Sequence, residues 1–338
     1  METIRQNAGI DIAKDSFVAT LTILLKGQIV KHLGTKKFEN NIEGFEEFYN
    51  WCKGLQKEVF EINFTMEATG VYYESLAYYL FDKEVTVHVL LPNKAKKFAE
   101  SLNIKSKTDK IDSKILGQMG VERVLEKWNP GSKIYREMRT LSRERQQLIK
   151  ERTIVKNQLH AEEHTGFPMK TTIARMKNRI MYLDKQIGGV EQELEIIVSK
   201  DEYVSGKVKK ITTTPGLGFK TVVAVIAETQ GFVNISNIRR LNSYAGYDIS
   251  IKESGKWKGK ARISKKGNSY IRQAMHMPSL SSIQHSETYK TFYKRINEGK
   301  ACGLIGGTAV QRKLLGLIYI LWKNDAEYIE NYQVKKAG

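Results

Sequence analysis

The chain of 338 residues is 41% apolar and 27% charged, a composition typical of globular domains and untypical of disordered chains. Its 55 Lys and Arg against 37 Asp and Glu give a net charge of +18, which predicts a polyanionic partner, nucleic acid before a membrane surface. The longest apolar runs, such as residues 314–322, are about half as long as a membrane-spanning segment, and the N-terminus lacks a signal-peptide pattern. The two cysteines provide neither a disulfide framework nor the spacing of a zinc site. We therefore expect a cytoplasmic protein without a membrane partner.

Residues 1–130 combine strand and helix patterns. Two apolar, β-branched runs, "AGIDIAKDSFVATLTILL" and "IVKHLGTKKFEN", predict two or three neighbouring antiparallel strands. Further along, "VFEINFTMEA" and "VTVHVLLP" have strand patterns, and a helical pattern follows each of them. A strand meander followed by strand–helix alternation predicts an α/β domain around a mixed sheet.

Residues 131–205 have a helical pattern with few strand signals. Apolar side chains recur at alternating steps of three and four, which is a heptad stripe. Its members are Ile173, Met176, Ile180, Leu183, Ile187, Val190, Leu194 and Ile197. A looser stripe runs from Met138 to Leu159, and "HTGFPMK" separates the two. The pattern predicts a long helical hairpin or an intermolecular coiled coil, with an ordinary helical core as the alternative.

Residues 206–326 contain a Pro-Gly-x-Gly turn and a strongly basic stretch, and residues 327–338 have the pattern of a tail. The turn lies in "TTPGLGFKTVVAVIAETQGF" before an apolar helix, as in the second half of a helix-hairpin-helix element; a purely structural turn is the alternative. The basic stretch, "KESGKWKGKARISKKGNSYIR", has eight Lys or Arg and one acid. We expect its side chains to bind nucleic-acid phosphates and, for the tryptophan, to stack on a base: Lys256, Trp257, Lys258, Lys260, Arg262, Lys265 and Lys266.

Four acids are candidates for a metal site in the first domain. Asp11 lies within the first predicted strand, and Glu67 ends a later one. Asp109 and Asp112 are three residues apart, so they share one helical face. Oxygen ligands without a His or Cys cluster select Mg²⁺ or Mn²⁺, the ions of phosphodiester chemistry. Lysines around the pair are further candidate nucleic-acid contacts: Lys105, Lys107 and Lys110. A solvated helix face for the pair, and a surface acid for Asp11, are the alternatives.

Four segments in this order carry a family resemblance: "GIDIAKDS", "MEATGVYYESLAYYL", "KSKTDKIDSKIL" and "TTPGLGFKTVVAVIAETQGF". Over residues 8–325 the chain resembles the DEDD-type insertion-sequence transposases. The resemblance implies a RuvC-like N-terminal domain with a ribonuclease-H-type fold and a C-terminal transposase domain. It also implies a catalytic set that binds divalent metal, here Asp11, Glu67, Asp109 and Asp112.

The same resemblance implies a serine nucleophile in the C-terminal domain. In "YAGYDISIKESGKWKGKARISKKGN", the serine that precedes glycine is Ser254. The family usually has a serine where this chain has Glu253, and "YAGY" replaces the usual "YxGL". Ser250 therefore remains a second candidate.

Finally, the resemblance implies a reaction and its partners. The serine attacks a DNA phosphate and holds the strand as a phosphoserine, with the acids of one subunit and the serine of another in each active site. A homo-oligomer (dimer or tetramer), donor DNA, target DNA and a structured guide RNA are the expected partners. Two other functions remain open: a metal-dependent endonuclease of the Holliday-junction type, in which Ser254 is incidental, and a nucleic-acid-binding protein without activity.

Overall fold

The computed structural model describes residues 2–57, 60–104, 106–251, 253–254, 257–259, 262–300 and 302–329, and it describes the backbone alone for Ser254, Trp257 and Lys258. Three predicted nucleic-acid contacts, Lys105, Lys256 and Lys260, lie outside the described residues. The chain forms two compact units, Met1–Pro130 and Gly131–Gly338, and each has its own hydrophobic core.

Unit 1 is built on a five-stranded mixed sheet. Its strands are β1 (Thr3–Ile12), β2 (Ser16–Leu25), β3 (Ile29–Glu39), β4 (Ile62–Glu67) and β5 (Val87–Leu90). The order across the sheet is β3-β2-β1-β4-β5; β1, β2 and β3 are antiparallel neighbours, whereas β4 is parallel to both β1 and β5. The predicted mixed α/β domain is confirmed, and this topology is consistent with a ribonuclease-H-like fold.

The helices of unit 1 are α1 (Ile42–Leu55), α2 (Glu74–Asp82), α3 (Pro92–Ser101) and α4 (Asp109–Glu122). Asn41 caps α1 by accepting a hydrogen bond from the Gly44 N–H at 2.9 Å. Aromatic rings of β2, α1 and β4 fill the core on one face of the sheet; Phe48 packs edge-on against Phe17 at 5.2 Å and against Phe64 at 5.8 Å between ring centroids. Helix α4 covers the other face, against β1 and β2.

Unit 2 begins with two long helices, α5 (Lys133–Glu163) and α6 (Lys170–Ser199), which pack against one another as a hairpin. Ion pairs join them, including Arg145 with Glu191 at 2.7 Å and Arg152 with Asp184 at 2.5 Å. Their ends near residues 138 and 194 share one core with the helices that follow. The helix that contains the predicted heptad stripe, α6, therefore packs against α5 of the same chain, as in the predicted helical hairpin.

The rest of unit 2 is mainly helical. Its elements are α7 (Glu202–Thr212), α8 (Phe219–Thr229), a 3₁₀ turn (Gln230–Phe232), α9 (Ile238–Ala245), β6 (Ile249–Ser250), β7 (Glu253–Ser254), β8 (Trp257–Lys258), β9 (Arg262–Ile263), α10 (Ser269–Ala274), α11 (His276–His285), α12 (Glu287–Asn297) and α13 (Leu304–Asn324). The Pro-Gly-x-Gly turn joins α7 to α8, which pack together. Gly216 has φ of +86°, and a side chain there would overlap Ser282, so glycine is required at this point of the turn.

Helix α13 is long and apolar enough to cross a membrane by length and composition. The apolar run at 314–322 suggested a shorter segment, because Arg312 and Lys313 interrupt the hydrophobic pattern while the helix continues through them. Val310, Leu314 and Ile318 are fully buried in the core of unit 2. The helix thus has an apolar face that this core already covers.

Candidate active site

Asp11 and Glu67 come from two adjacent parallel strands. Ile10 of β1 pairs with Met66 of β4, and both side chains are fully buried on the aromatic side of the sheet. Successive side chains of a strand point to opposite faces. Asp11 and Glu67, each one residue further along, are therefore on the face that α4 covers, at the carboxyl ends of their strands.

Asp109 and Asp112 lie in the first turn of α4, which starts at the capping residue Thr108. The helix approaches the sheet very closely because glycines meet at the contact. A β-carbon on Gly9 would lie 2.0 Å from the Gly117 nitrogen, and one on Gly120 would lie 2.2 Å from the side chain of Asn7. Only hydrogen atoms fit at Gly9, Gly117 and Gly120, so the spacing of α4 from β1 is set by the sequence.

Buried polar contacts fix the register of α4 on the sheet. The hydroxyls of Thr20 and Ser113 are 2.8 Å apart, and Ser113 follows Asp112 directly. Asn7 donates to the Gly117 carbonyl at 3.4 Å, and Thr65 donates to the side-chain oxygen of Asn7 at 2.8 Å. Sliding α4 along the sheet would break these bonds and leave buried polar groups without partners, which is energetically unfavourable. The acids in its first turn are held at a defined level beside Asp11.

The electrostatics of Asp11 reflect its acidic neighbours. Burial raises the pKa of Asp11 to about 6, helped by repulsion from Asp112, Asp109 and Glu67, while Lys107 acts in the opposite direction. Burial also raises the pKa of Asp112, with repulsion from Asp109 adding to it and Lys107 opposing it. The four predicted acids are thus near enough to interact, and they concentrate negative charge that a cation would neutralise.

The donor chemistry of this cluster fits a divalent cation. All four side chains are carboxylates, the ligands preferred by hard ions such as Mg²⁺ and Mn²⁺. Among the residues that the structure describes, no three Asp, Glu, His or Cys side chains converge closely enough to hold a metal ion. The acids share one face of unit 1 without forming a finished coordination shell. Lys107 and Lys110, predicted to bind phosphates, are exposed beside them.

Both candidate serines lie in short antiparallel strand pairs of unit 2, β6 with β9 and β7 with β8, which together are called the arm below. Ser250 of β6 pairs with Arg262 of β9, and Ser254 of β7 pairs with Trp257 of β8. Ser250, Arg262, Lys265 and Lys266 are exposed. The two serines thus lie in two separate strand pairs, and the predicted basic stretch, residues 252–272, contains Ser254 but not Ser250.

The base of the arm depends on two glycines. The Lys265 N–H donates to the Gly246 carbonyl at 3.0 Å, and the Asn268 N–H donates to the Tyr244 carbonyl at 2.7 Å. Gly246 has φ of +74°, and a β-carbon on Gly267 would lie 2.5 Å from the Gly246 nitrogen. The "YAG" and "KKGN" sequences at the two ends of the arm are thus in direct contact, which explains why glycine occurs in both.

A buried ion pair anchors the same base, and sequence reasoning missed it. The Glu228 carboxylate, on α8, is almost fully buried and accepts hydrogen bonds from Arg143 Nε at 2.6 Å, Arg143 Nη2 at 2.9 Å and Asn268 Nδ2 at 2.6 Å. The Arg143 guanidinium also lies over the Tyr270 ring at 4.4 Å. The one available signal was an acid within an otherwise apolar helix, since a buried carboxylate requires a partner.

The mixed sheet with its carboxylates, and the basic, serine-containing arm, are features expected of an enzyme that acts on nucleic acid. Residues 8–162 match the family model of the IS110-type DEDD transposases, and residues 208–294 match that of the IS116/IS110/IS902 transposase family; together they cover more than half of the chain. The pilin gene-inverting proteins of Moraxella bovis and Moraxella lacunata are each 27% identical over 328 residues, 95% of this chain and 96% of theirs. The chain belongs to the IS110 family of transposases and is a DNA recombinase of that class.

Proposed function

We propose that this recombinase cuts and rejoins DNA through a serine-linked intermediate, with Mg²⁺ or Mn²⁺ held by Asp11, Glu67, Asp109 and Asp112. The observation that carries the metal part of the proposal is the placement of Asp11 and Glu67 on adjacent parallel strands, on the face covered by α4, whose first turn contains Asp109 and Asp112. A site that only bound DNA would have no use for concentrated negative charge beside a phosphate. A site that recruits a divalent cation requires it.

The acids and lysines have separate tasks in this mechanism. Divalent metal, when bound, supplies Lewis-acid stabilisation of the charge that develops on the phosphate oxygens. Lys107 and Lys110 attract the DNA backbone and offset the negative charge of the acids. In this proposal, residues 1–130 form a RuvC-like nuclease domain, residues 131–205 a helical insert, and residues 206–326 the domain that contains the serine.

Ser254 is the proposed nucleophile. Its Oγ forms a bond to phosphorus while the bond from phosphorus to a deoxyribose oxygen breaks; the serine proton is released and the departing oxygen takes up a proton. The phosphodiester energy is kept in the phosphoserine, so a new strand can be joined without an external energy source. The basic residues of the arm neutralise the attacked phosphate. Ser250 is the alternative nucleophile.

The proposed partners are donor DNA, target DNA and a structured guide RNA, bound by a homo-oligomer that combines acids and serine from different subunits. The high net charge is the property of the chain that suits several bound nucleic acids. The names of the Moraxella relatives describe inversion of a pilin gene. Inversion and transposition both exchange DNA strands, so the proposed chemistry serves either outcome. Purifying the protein from cells that contain its flanking DNA, and sequencing the bound RNA, tests the guide; recovery of no defined RNA contradicts it.

A second candidate is a metal-dependent endonuclease of the Holliday-junction type. The observation in its favour is that the acid cluster is contained in unit 1, and hydrolysis needs no serine. Ser254→Ala separates the two functions, with Ser250→Ala as the matched control. For the recombinase we expect Ser254→Ala to lose strand exchange and the protein–DNA adduct, and Ser250→Ala to keep both. Full recombination by Ser254→Ala would exclude Ser254 as the nucleophile, whereas cleavage without strand exchange in the wild-type protein would favour the endonuclease.

Asp11→Ala tests whether the protein is an enzyme or only binds nucleic acid. We expect this variant to bind DNA at least as well as the wild-type protein, because a negative charge is removed, and to lose cleavage. Unchanged cleavage by Asp11→Ala would exclude the carboxylate site.

A further inference from the structure

The pairing register of unit 1 puts a lysine in the same row of the sheet as Asp11. Asp11 pairs with Val18, and Val18 pairs with Lys37. Neighbouring strands lie about 4.8 Å apart, so the Cα atoms of Asp11 and Lys37 are separated by about 10 Å across β2. Residues that pair across strands share a face of the sheet. Lys37 is therefore on the face that contains the acids.

Hydrogen bonds confirm which face this is. The hydroxyl of Thr35 is 2.8 Å from that of Thr20, which in turn is 2.8 Å from Ser113 of α4. Lys37 lies two residues beyond Thr35 in β3 and so has the same orientation. Lys36 points the other way, where its Nζ is 2.7 Å from Glu47 and lies over the ring of Phe38.

A cleft of about 650 Å³ lies between this row and the start of α4. Its lining residues are Val18, Thr35, Lys36, Lys37, Thr108, Asp109 and Lys110. Lys37 and Lys110 are exposed, and neither forms an ion pair within the part of the chain that the structure describes. The cleft thus joins two free positive charges to one acid of the proposed catalytic cluster, which is a surface suited to an extended phosphate backbone.

We propose that Lys37, with Lys110, binds a DNA phosphate that neighbours the phosphate cleaved at the acids. The position assigned to the cleaved phosphate rests on the proposed function, whereas the charged cleft is observed independently of that function. DNA is the partner because the cleft opens directly beside Asp109. Lys37 would then set the path of the cleaved strand across β2 and β3, and it is a binding residue that the family motifs do not include.

The first test compares Lys37→Ala with Lys31→Ala. Lys31 is an exposed lysine of the same strand, but its side chain is on the opposite face of the sheet from that of Lys37. The neighbouring residue, His32, is on the α4 face, where its ring is hydrogen-bonded to Thr22 at 3.0 Å. The probe is a duplex with the ends of the insertion element, titrated at several salt concentrations with the full-length protein and its bound RNA. Loss of one phosphate contact should reduce the slope of log K against log [salt] by about 0.7 to 0.9 in Lys37→Ala. Lys31→Ala should keep the wild-type slope, and Lys37→Arg should restore it. Equal slopes for Lys37→Ala and the wild-type protein would overturn the proposal.

The second test locates the phosphate. Single phosphates on both sides of the mapped cleavage position are replaced by neutral methylphosphonates. We expect one position near the cut at which the neutral linkage weakens binding by the wild-type protein and leaves binding by Lys37→Ala unchanged. Absence of such a position, or a slope change seen only in RNA binding, would overturn the assignment to DNA. These tests measure DNA binding and not cleavage. If Asp11→Ala kept cleavage, the proposed function would be contradicted, but the measured role of Lys37 in DNA binding would not change.

Discussion

Asp11→Asn should stabilise the metal-free protein at neutral pH. The pKa of Asp11 is about 6 in the folded protein and 3.8 for an unperturbed carboxyl. Because the folded state holds this proton more tightly, its contribution to stability is complete below about pH 4 and is lost as the pH rises through 6. About two pKa units correspond to at most about 3 kcal/mol, and partial solvent exposure of the side chain lowers this to about 1–2 kcal/mol.

The asparagine variant is neutral at every pH, so it avoids this loss. In calorimetric unfolding with a chelator present, we expect Asp11→Asn to exceed the wild-type protein in stability at pH 7.5 and to show no advantage at pH 4. Adding Mg²⁺ should stabilise the wild-type protein, by about 2.7 kcal/mol at one hundred times its Kd, and should stabilise the variant less. A variant that is less stable at pH 7.5, or equally stabilised at both pH values, would refute the raised pKa of Asp11.

Three further predictions concern packing and assembly. Arg143→Ala removes two of the three hydrogen bonds to the buried Glu228 carboxylate and should lower the free energy of unfolding of unit 2 in urea by about 3–5 kcal/mol. Adding Glu228→Gln should recover part of this loss, because it removes the unpaired charge. A further loss of stability in the double variant would contradict the pairing. Gly117→Ala puts a β-carbon 2.4 Å from the Thr22 hydroxyl, so α4 must shift, and DNA cleavage should fall by on the order of 100-fold. The control is Gly54→Ala, at an open helical position, which should leave cleavage unchanged. Light scattering should detect dimers or tetramers, and a monomer both with and without nucleic acid would exclude the proposed sharing of an active site between subunits.

Much of the acid cluster was predictable from local sequence patterns. Asp11 interrupts an apolar strand and Glu67 ends one, while the three-residue spacing of Asp109 and Asp112 places both in one helical turn. These are short-range relations, which a periodic pattern reports directly. The mixed sheet followed from the same patterns.

Long-range relations were not predictable. Lys37 reaches the row of Asp11 through two strand registers, and a single-residue slip would move it to the other face. Glu228 finds Arg143 85 residues away in sequence. Neither pairing leaves a periodic signal, because both depend on which elements pack together. The proposed nucleophile is a related case: the arm contains both Ser250 and Ser254, and strand pairing does not distinguish between them.

Mass spectrometry of the trapped protein–DNA adduct is the most direct test of the serine mechanism. The wild-type protein is incubated with Mg²⁺ and DNA of the element ends, denatured, and digested with nuclease and protease. The proposed mechanism predicts a nucleotide remnant on the peptide at Ser254, absent in Asp11→Ala, which lacks one ligand of the proposed metal site. A remnant at Ser250 would move the nucleophile within the arm. Strand exchange without any protein-linked nucleotide would contradict covalent catalysis by this recombinase.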